Sequence, residues 1–496
     1  MLFSLFFVQL NAQAPTQLIQ NIQLVDGTGL PSKYTSVRIK GDIIFQIGTL
    51  IPFENEVVIE GHGLVLAPGF IDSHSHHFGD LRRNPAGLST SNQGITTIII
   101  GQDGDSYPMD SLTKFIKDRP IVANVASYSG HSALREEVMG KKEVYRKATQ
   151  LEIDKMKLIL QSELQKGAIG LSTGLEYEAA FYSSPSEVIQ LAQVTADNDG
   201  RYTSHIRSED INMDDAIDEI IEIGRITKMP VQVSHIKIAK KDDWNKANLI
   251  LQRLEKARAE GVNICADVYP YTFWNSTLRV LFPDKNFSNL KSAQFAVDQL
   301  FDANESVIVA FAPDPTYVGK TVTAIAAQRK EDPAVTLMNL IKMASDFDEK
   351  YPDYNGSTEA IAGKSMNESD VINFLQWQHT NICSDGNAGG HPRGYGAFTR
   401  VLGKYVREKN SLSLETAIYK MTGMTAKFLA IRDRGVIAVG KKADLVLLNP
   451  VTVNDKATIN ASKALSTGIE TVWVNGQIVY KEQKATGKLP GVLLLK

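Results

Sequence analysis

The stretch GFIDSHSHHFGD, residues 69–80, decides how this 496-residue chain is interpreted, because it holds three of the nine histidines. An apolar strand is predicted to end at His74 and His76, and residues two apart on a strand point to the same side of it. Both imidazoles can therefore face one metal ion. His77 points to the opposite side, so we expect it to be a structural residue.

This strand is the first of eight segments rich in Val, Ile and Thr, which alternate with amphipathic segments of helical periodicity. Such alternation is typical of an α/β fold with a parallel sheet, and eight strands predict a (β/α)8 barrel of the TIM type. The predicted strands are residues 69–76, 95–100, 121–126, 167–172, 201–206, 230–236, 262–268 and 380–385.

Two further domains are predicted outside this alternation. Residues 269–379 separate the seventh and eighth strands, which is far more chain than one crossover helix needs. We expect an inserted subdomain at 275–358 that covers the mouth of the barrel, while the barrel region as a whole spans 67–429. Short strands punctuated by turns at 15–66 and 430–496 predict one small β domain built from both chain ends.

The first fourteen residues, 1–14, are predicted to be a secretory signal. An apolar run is followed by Ala12-Gln13-Ala14, which resembles a signal core and its small-residue cleavage site. No Lys or Arg precedes the run, and it is too short to span a bilayer. A buried N-terminal strand is the alternative. We expect cleavage near Ala14 and a periplasmic or secreted protein, and otherwise a cytoplasmic one.

Composition excludes several classes of protein. The 53 Lys and Arg residues nearly balance the 56 Asp and Glu residues, so nothing favours nucleic acid or an anionic membrane surface as a partner. The two cysteines, Cys265 and Cys383, lie in apolar strand-like runs. A disulfide framework is therefore excluded as the organising principle, and we expect two buried thiols.

Polar residues at the ends of separate strands carry the predicted chemistry. His205 ends the fifth strand, His235 the sixth and Asp385 the eighth. In barrels of this kind, the carboxyl ends of the strands line the active site. Each histidine alone would more often be structural. Four histidines and an aspartate that converge on one point instead predict a metal site, because Zn²⁺ and related ions accept neutral imidazole and carboxylate ligands.

The motifs of the chain resemble a known family. The segments APGFIDSHSH, TSHIRSE, SHIK, SDG and RGVIAVGKKADLVLLNP are similar to those of the amidohydrolase superfamily. The segments GHSALREEVMG, KGAIGLSTGLEYEAAFYSS, DVYPYT and HPRGYGAFTRVLGKYVRE narrow the resemblance to the D-aminoacylase branch, the N-acyl-D-amino-acid deacylases. The similarity runs from about residue 22 to residue 494. Members of the superfamily hydrolyse amide, ester and related bonds with one or two metal ions.

The resemblance implies a ligand set. It assigns His74 and His76 to one metal position, and His205 and His235 to the other. Asp385 is expected to be both a metal ligand and the general base. A divalent ion lowers the pKa of a coordinated water molecule and polarises the scissile carbonyl. Asp385 would take the proton of that water and return it to the departing amine.

Asp103 departs from the family pattern. The family places a cysteine in a GNCG-type motif after the second strand, and here the matching segment is GQDG. Many superfamily members instead use a carbamylated lysine at the end of the fourth strand, where this chain has GLSTG. Asp103 is therefore the candidate bridging ligand, with a plain turn residue as the alternative. Since a carboxylate is harder than a thiolate, we expect one or two divalent ions, zinc first, with Mn²⁺ or Co²⁺ also accepted.

Two cations flank the predicted metal site. Lys237 lies two residues beyond His235, and Arg393 follows Asp385 in GHPRG. A guanidinium fork and an ammonium together suit a substrate carboxylate. The resemblance implies that Lys237, Tyr269 and Arg393 bind the substrate α-carboxylate, and that the last of the four candidate substrate-binding residues, Tyr177, lies close to the substrate. A solvated lysine, a loop salt bridge and packed core tyrosines are the structural alternatives.

These expectations lead to one function and several alternatives. The first is metal-dependent hydrolysis of N-acyl-D-amino acids, which are small molecules with a free carboxylate. A dipeptidase acting on L-Xaa-D-Xaa dipeptides would use the same carboxylate site. A cyclic-amide hydrolase is disfavoured by the missing fourth-strand lysine, and a non-catalytic binding protein would have little reason to keep Asp385. The roles of His131 and His391 and the oligomeric state stay open.

Overall fold

A computed structural model describes residues 15–496 of the chain. The segment predicted to be a signal, residues 1–14, lies outside the described residues. Within them, every helix is too short or too polar to cross a lipid bilayer. Both thiols are free, with Cys383 buried and Cys265 partly buried.

The strands and helices are numbered in chain order. The strands are β1 (Thr16–Leu24), β2 (Lys33–Lys40), β3 (Ile43–Gly48), β4 (Val57–Glu60), β5 (Val65–Pro68), β6 (Phe70–Asp72), β7 (Ile95–Ile100), β8 (Asn124–Ser127), β9 (Ser129–Gly130), β10 (Gly170–Gly174), β11 (Arg201–His205), β12 (Val231–Val233), β13 (Ile264–Val268), β14 (Phe273–Ser276), β15 (Val307–Phe311), β16 (Glu359–Lys364), β17 (Thr380–Ile382), β18 (Leu445–Leu448), β19 (Ile469–Val474), β20 (Gln477–Lys481) and β21 (Lys484–Ala485). The α-helices are α1 (Phe78–Leu81), α2 (Leu88–Ser91), α3 (Met109–Asp118), α4 (His131–Met139), α5 (Gln150–Gln165), α6 (Glu178–Phe181), α7 (Pro185–Asp197), α8 (Met213–Thr227), α9 (Ala247–Ala259), α10 (Leu290–Phe295), α11 (Val322–Arg329), α12 (Pro333–Lys350), α13 (Glu368–Gln376), α14 (Arg393–Arg400), α15 (Leu414–Met421) and α16 (Gly423–Leu429). Short 3₁₀ or π-helical segments occupy Lys241–Asp243, Leu278–Leu281, Ala296–Leu300, Pro315–Tyr317 and Val401–Glu408.

The barrel predicted from the sequence is confirmed. Strands β6, β7 and β8 pair in parallel, and so do β9, β10, β11, β12, β13 and β17. The chain runs from β8 through Tyr128 into β9, and a parallel bridge between Ser75 and Gly386 connects the ends of β6 and β17. The barrel therefore closes between its first and last strands, which brings all carboxyl ends to one mouth.

The sequence of each element explains its place. Strand β7 reads ITTIII and is buried along its whole length, as expected of a β-branched strand covered on both faces in a parallel barrel. Helix α5 begins with a capping box formed by Thr149 and Glu152, which satisfies backbone N–H groups at its first turn. Helix α8 buries Ile217, Ile220 and neighbouring apolar residues against the barrel.

Both chain ends contribute to one antiparallel-rich sheet of nine strands. Its order is β21-β20-β19-β18-β5-β1-β2-β3, with β4 beside β1. The antiparallel pair of β5 and β18 connects the N-terminal and C-terminal halves. The predicted β domain included the C-terminal tail in its range 430–496, but the end of the tail pairs with the barrel. The backbone N–H of Val125 in β8 donates to Val492 O, and the N–H of Leu494 donates to Val125 O. The tail thus lies on the barrel, where β8 has backbone groups that β7 does not satisfy.

The inserted segment forms a separate three-stranded antiparallel sheet. Its order is β14-β16-β15. The central strand β16 ends at Lys364, beyond the predicted bound of residue 358, and the sheet begins at Phe273. The predicted range therefore omitted the strand that holds the sheet together. Glu359 in β16 is buried, and burial raises the pKa of its carboxyl group to about 7.

Candidate metal centre

Six candidate ligands at the carboxyl ends of five strands meet at the barrel mouth. They form two groups. Within each group, the ligand atoms lie within 4.8 Å of one another. Asp103 belongs to both groups. The first group is His74, His76, Asp103 and Asp385, and the second is Asp103, His205 and His235.

The first group surrounds Asp103 Oδ2 and Asp385 Oδ1. The Nε2 atoms of His74 and His76 each lie 3.3 Å from Asp103 Oδ2. Asp385 Oδ1 lies 3.2 Å from His76 Nε2 and 3.6 Å from His74 Nε2. Two imidazoles and two carboxylates therefore point at one small volume, as the spacing in HSH predicted for the histidines.

The second group lies on the other side of the Asp103 carboxylate. His235 Nε2 is 3.4 Å from Asp103 Oδ1 and 3.1 Å from His205 Nδ1. Asp103 Oδ1 is buried and accepts no hydrogen bond from any described residue. Such an orphaned oxygen between two imidazoles fits a cation. Because its two oxygens face different groups, Asp103 has the position of a bridge.

Three of these residues have backbone in the left-handed region, which favours glycine. The φ angle is 57° at Asp103, 36° at His235 and 47° at Asp385. Conformations of this kind cost on the order of 1–3 kcal/mol each and persist where the surroundings impose them. At His235 the backbone N–H donates to buried Asp267 Oδ1 over 2.5 Å. Three of the six converging residues thus have this strained backbone.

The GQDG turn is fixed by the neighbouring strands. Gln102 Nε2 donates to Ser73 O over 2.7 Å, and Ser172 Oγ accepts from Gly104 N over 3.2 Å. A Cβ atom at Gly174 would lie 2.2 Å from Asp103 O. Only glycine at the end of β10 therefore lets the turn approach closely enough to bring Asp103 between the imidazoles.

The electrostatics of the cluster favour positive charge. Burial alone would lower the pKa of His76, but Asp103 and Asp385 raise it to about 10. Burial would likewise raise the pKa of Asp385, yet Arg393 and nearby imidazoles hold it well below its usual value. For Asp103, His74 and His235 overcome burial in the same way and lower the pKa. The carboxylates are therefore anionic and stabilise a proton or a metal ion at this point.

Two glutamates in the site were not predicted from the sequence. Glu176 Oε2 lies 2.8 Å from His205 Nε2, and Glu209 Oε1 lies 3.1 Å from His235 Nδ1. Burial would raise the pKa of Glu209, but the nearby His205, Lys237 and His235 hold it below its usual value. Glu176 follows the carboxyl end of β10, so the strand-end criterion used for the histidines would have found it.

The residues predicted to bind a carboxylate line one side of the site. Lys237 is buried and bonds both carboxylate oxygens of Glu209, at 2.5 and 2.6 Å. Arg393 Nη1 lies 2.6 Å from Asp385 Oδ2. The contact is an ion pair without hydrogen-bond geometry, because this buried atom makes no directed hydrogen bond with the described residues. Arg393 therefore retains a donor that a ligand can use.

The two predicted tyrosines lie beside these groups. The Tyr269 ring centre is 4.8 Å from the Arg393 guanidinium carbon and 5.9 Å from Lys237 Nζ. The Tyr177 ring centre is 4.4 Å from that of His205. Burial raises the pKa of both phenols well above its usual value, so both remain protonated. Each can pack on a cation or an imidazole and still present a hydroxyl group.

A cavity of about 490 Å³ opens directly onto this cluster. This volume includes space that is open to solvent. The polar groups of the cluster form part of its lining, and the inserted segment adds apolar Trp274, Val280, Leu281 and Leu300 together with polar Asn275 and Ser276. The lining residues include Glu176, Tyr177, His205, Glu209, Asp210, His235, Lys237, Tyr269, Trp274, Val280, Leu281, Leu300, Asp385 and Arg393.

The histidines left open by the sequence have clear contacts. His131 Nε2 lies 2.9 Å from Glu187 Oε1, in a buried network that also contains Arg135. His391 Nδ1 accepts from Arg393 N over 3.0 Å, and its Nε2 donates to Phe273 O over 3.1 Å. His391 thus connects the Arg393 loop to β14, whereas His131 stabilises helix packing.

Comparison with known proteins places this site in a family. The amidohydrolase family pattern matches residues 57–307 and 379–480. A D-aminoacylase of Alcaligenes xylosoxydans xylosoxydans is 30% identical over 98% of this chain and 99% of its own. An N-acyl-D-glutamate deacylase of the same organism is 31% identical over 96% of each chain.

Solved structures agree in fold over nearly the whole chain. A crystal structure of D-aminoacylase has a TM-score of 0.85 at 30% identity and covers 97% of this chain and 99% of that one. The N-acyl-D-glutamate deacylase of Bordetella bronchiseptica, complexed with zinc and a phosphonate inhibitor, has a TM-score of 0.86 at 28% identity, covering 98% and 100%. The chain therefore belongs to the amidohydrolase family and is a metal-dependent hydrolase.

Proposed function

We propose that the protein hydrolyses the amide bond of N-acyl-D-amino acids and releases a carboxylate and a D-amino acid. The observation that carries this proposal is the position of Arg393, a buried cation whose Nη1 makes no directed hydrogen bond with the described residues, in the same cavity as the cluster of imidazoles and carboxylates. A substrate that has a carboxylate close to its scissile amide matches both features. The relatives named as deacylases of D-amino acids act on substrates of this kind.

The metal ligands in this proposal are the six clustered residues. His74, His76 and Asp385 would hold one ion, and His205 and His235 another, with Asp103 between them. A D-aminoacylase structure is described as having a binuclear metal centre, and the related deacylase contains zinc. Zinc suits the imidazole-rich set, and the Asp103 oxygen in place of a thiolate also admits Mn²⁺ or Co²⁺. A bound ion supplies an activated water molecule and an electrophile for the carbonyl.

Asp385 is proposed to move the proton. Its Oδ1 faces His74 and His76, while its Oδ2 faces Arg393. The carboxylate is therefore anionic at rest and lies between the ligand cluster and the carboxylate-binding wall. From this position it can accept a proton during attack and deliver it to the amine that leaves, since a group that serves both steps must reach both atoms.

The D-amino acid is proposed to be anchored by its α-carboxylate at Arg393, with Lys237 and Tyr269 alongside. Lys237 is already paired with Glu209, so the directional donor is the guanidinium group. Arg393 forms a fork that suits two carboxylate oxygens, whereas Lys237 adds a point charge behind it. Tyr177 lies between His205 and the cavity, close to where the substrate would be bound.

The apolar wall favours an apolar group on the substrate. Trp274, Val280, Leu281 and Leu300 line the same cavity as the ligand cluster. Among the described residues that line it, the cationic side chains apart from the histidines are Lys237 and Arg393. Since both are assigned to the α-carboxylate, a second, side-chain carboxylate would lack a cationic partner. N-acetyl-D-leucine is therefore proposed to be a better substrate than N-acetyl-D-glutamate.

The alternative functions have less support. A dipeptide would bring a free ammonium group, yet Glu176 and Glu209 already pair with His205 and with His235 and Lys237, and the full-length relatives are named as deacylases. A dihydropyrimidinase is similar in fold, with a TM-score of 0.59 at 14% identity. At this identity the likeness concerns the fold alone, and β10 here ends in GLSTG without a lysine.

A substrate panel tests the proposal. Metal-reconstituted enzyme should hydrolyse N-acetyl-D-leucine much faster than N-acetyl-L-leucine, L-alanyl-D-leucine, N-acetyl-D-leucinamide or a cyclic dihydropyrimidine. The D enantiomer is favoured because the carboxylate anchor and the scissile carbonyl fix two directions at the α-carbon. Faster turnover of the dipeptide, of the cyclic amide or of the L enantiomer would refute the proposed substrate class.

A further inference from the structure

His205 is contacted at both of its ring nitrogens. Its Nδ1 lies 3.1 Å from His235 Nε2, in the group that contains Asp103. Its Nε2 lies 2.8 Å from Glu176 Oε2. The side chain of His205 is buried, so these contacts replace water at both nitrogens.

The contact with Glu176 determines which nitrogen of His205 carries the proton. A neutral imidazole has one N–H donor and one acceptor nitrogen, and a carboxylate can only accept. The nitrogen that faces Glu176 must therefore be the donor, which leaves the lone pair on Nδ1. We propose that Glu176 is a positioning residue that keeps His205 in the tautomer whose Nδ1 binds metal together with Asp103 and His235. This inference rests on the metal centre of the proposed function.

The backbone fixes Glu176 and His205 relative to each other. Strands β10 and β11 pair in parallel with Gly174 opposite His205, and Leu175 N donates to His205 O over 3.0 Å. Glu176 is the next residue after Leu175 and is 5% exposed. Its carboxylate is therefore held at the ring by strand register and not by a flexible loop. A carboxylate that orients a ligating histidine also increases the basicity of the ligating nitrogen.

Glu209 cannot take over this contact. Its Oε2 lies 3.9 Å from His205 Nε2, which is beyond hydrogen-bond distance. Both of its oxygens are bonded by Lys237 Nζ, and Oε1 also faces His235 Nδ1. Without Glu176, His205 Nε2 would have no hydrogen-bond acceptor among the described residues. The ring would then be free to flip, or to carry its proton on Nδ1. We therefore expect the loss to appear in metal binding itself.

The direct test measures zinc affinity in variants of the full chain by competition with a chromophoric chelator. Removal of an orienting carboxylate commonly weakens metal binding by about 10- to 100-fold, and we expect Glu176→Ala to weaken the site that contains His205 by that factor. Glu176→Gln should retain most of the affinity, because its amide oxygen still accepts from His205 Nε2. Glu178→Ala, two residues away and half-buried, removes the same charge from the same segment and should leave the affinity unchanged.

A spectroscopic measurement separates orientation from folding. The visible spectrum of Co²⁺-substituted protein reports the ligand set, and it should change in Glu176→Ala but not in Glu176→Gln or Glu178→Ala. Should the alanine variant fail to fold, Glu176→Met fills the same space without an acceptor and is measured instead.

Three results would overturn the inference. Equal zinc affinity and an unchanged cobalt spectrum in both apolar variants would show that Glu176 does not orient His205. Loss of one bound ion with unchanged affinity at the remaining site would make Glu176 a ligand itself. Failure of the unmodified chain to bind zinc would refute the metal centre, and the proposed function with it, whatever the variants do.

Discussion

Replacement of Arg393 by alanine should separate the proposed carboxylate site from the rest of the chemistry. The guanidinium group is 5% exposed, stacks on Tyr269 and lies 2.6 Å from Asp385 Oδ2. Two effects are therefore expected from its removal. The substrate carboxylate loses its directional donor, and Asp385 loses a cationic neighbour.

The structure sets the size of the first effect. Loss of one partner of a buried, hydrogen-bonded charge pair costs about 2–5 kcal/mol. Because Lys237 remains near the same Tyr269 ring, we expect the lower part of this range, about 2–3 kcal/mol. At about 1.4 kcal/mol per decade, kcat/KM for N-acetyl-D-leucine should fall roughly 30- to 150-fold through the carboxylate alone. The effect through Asp385 adds to this loss for every substrate.

A comparison of acid and amide isolates the carboxylate. N-acetyl-D-leucinamide shares the scissile bond but lacks the charge, so the loss caused by Asp385 should affect both substrates equally. The ratio of the two losses is then the coupling between Arg393 and the carboxylate. Zinc content should stay normal, and Arg393→Lys should recover part of the activity toward the acid. Equal losses on acid and amide would refute the assignment of Arg393.

Further predictions concern the metal centre, the apolar wall and the inserted sheet. Chelation should abolish hydrolysis, and His235→Ala should lower zinc content measured by elemental analysis; full activity in metal-stripped enzyme would contradict this. Asp103→Ala should lower the zinc content or sharply reduce kcat, whereas Asp103→Cys should retain activity and shift the preference toward zinc, because a thiolate is softer; an unchanged Ala variant would make Asp103 a turn residue. Leu300→Arg should improve N-acetyl-D-glutamate relative to N-acetyl-D-leucine in kcat/KM, and an unchanged ratio would argue against the proposed wall. Burial raises the pKa of Glu359 from 4.5 to about 7, so the contribution of this carboxyl group to stability is present below pH 4.5 and is lost as the pH rises to 7. Glu359→Gln should therefore increase the free energy of unfolding in urea by on the order of 3 kcal/mol at pH 8 and by much less at pH 5. An equal effect at both pH values would refute this prediction.

The sequence predicted those parts of the site that depend on strand periodicity. His74 and His76 lie two apart just beyond β6, and His205 ends β11, so alternation and the barrel rule were sufficient to bring them to one mouth. Asp103 needed the family resemblance, because the turn after β7 has no periodicity. Its approach to the imidazoles depends on Gly174, which lies on a strand distant in sequence.

Other features depend on long-range contacts that no local pattern contains. Glu176 was available to the strand-end criterion, but its partner is fixed only by the register of β10 against β11. Lys237 and Glu209 follow different strands, β12 and β11, so their ion pair depends on how the two loops pack together. The inserted sheet extended past residue 358 because its central strand, β16, comes last in the chain. The C-terminal tail pairs with the barrel because backbone groups of β8 need hydrogen-bond partners there. This need arises only once the barrel has formed, so the local sequence does not show it.

Diffraction from zinc-loaded crystals, measured at the zinc absorption edge, tests the proposed centre directly. We predict one anomalous peak in contact with Asp103, His205 and His235, and another on the side of His74, His76 and Asp385. A zinc peak bound by Glu176 and Glu209 instead, or no peak at this mouth of the barrel in active enzyme, would contradict the assignment of the ligands and the chemistry derived from them.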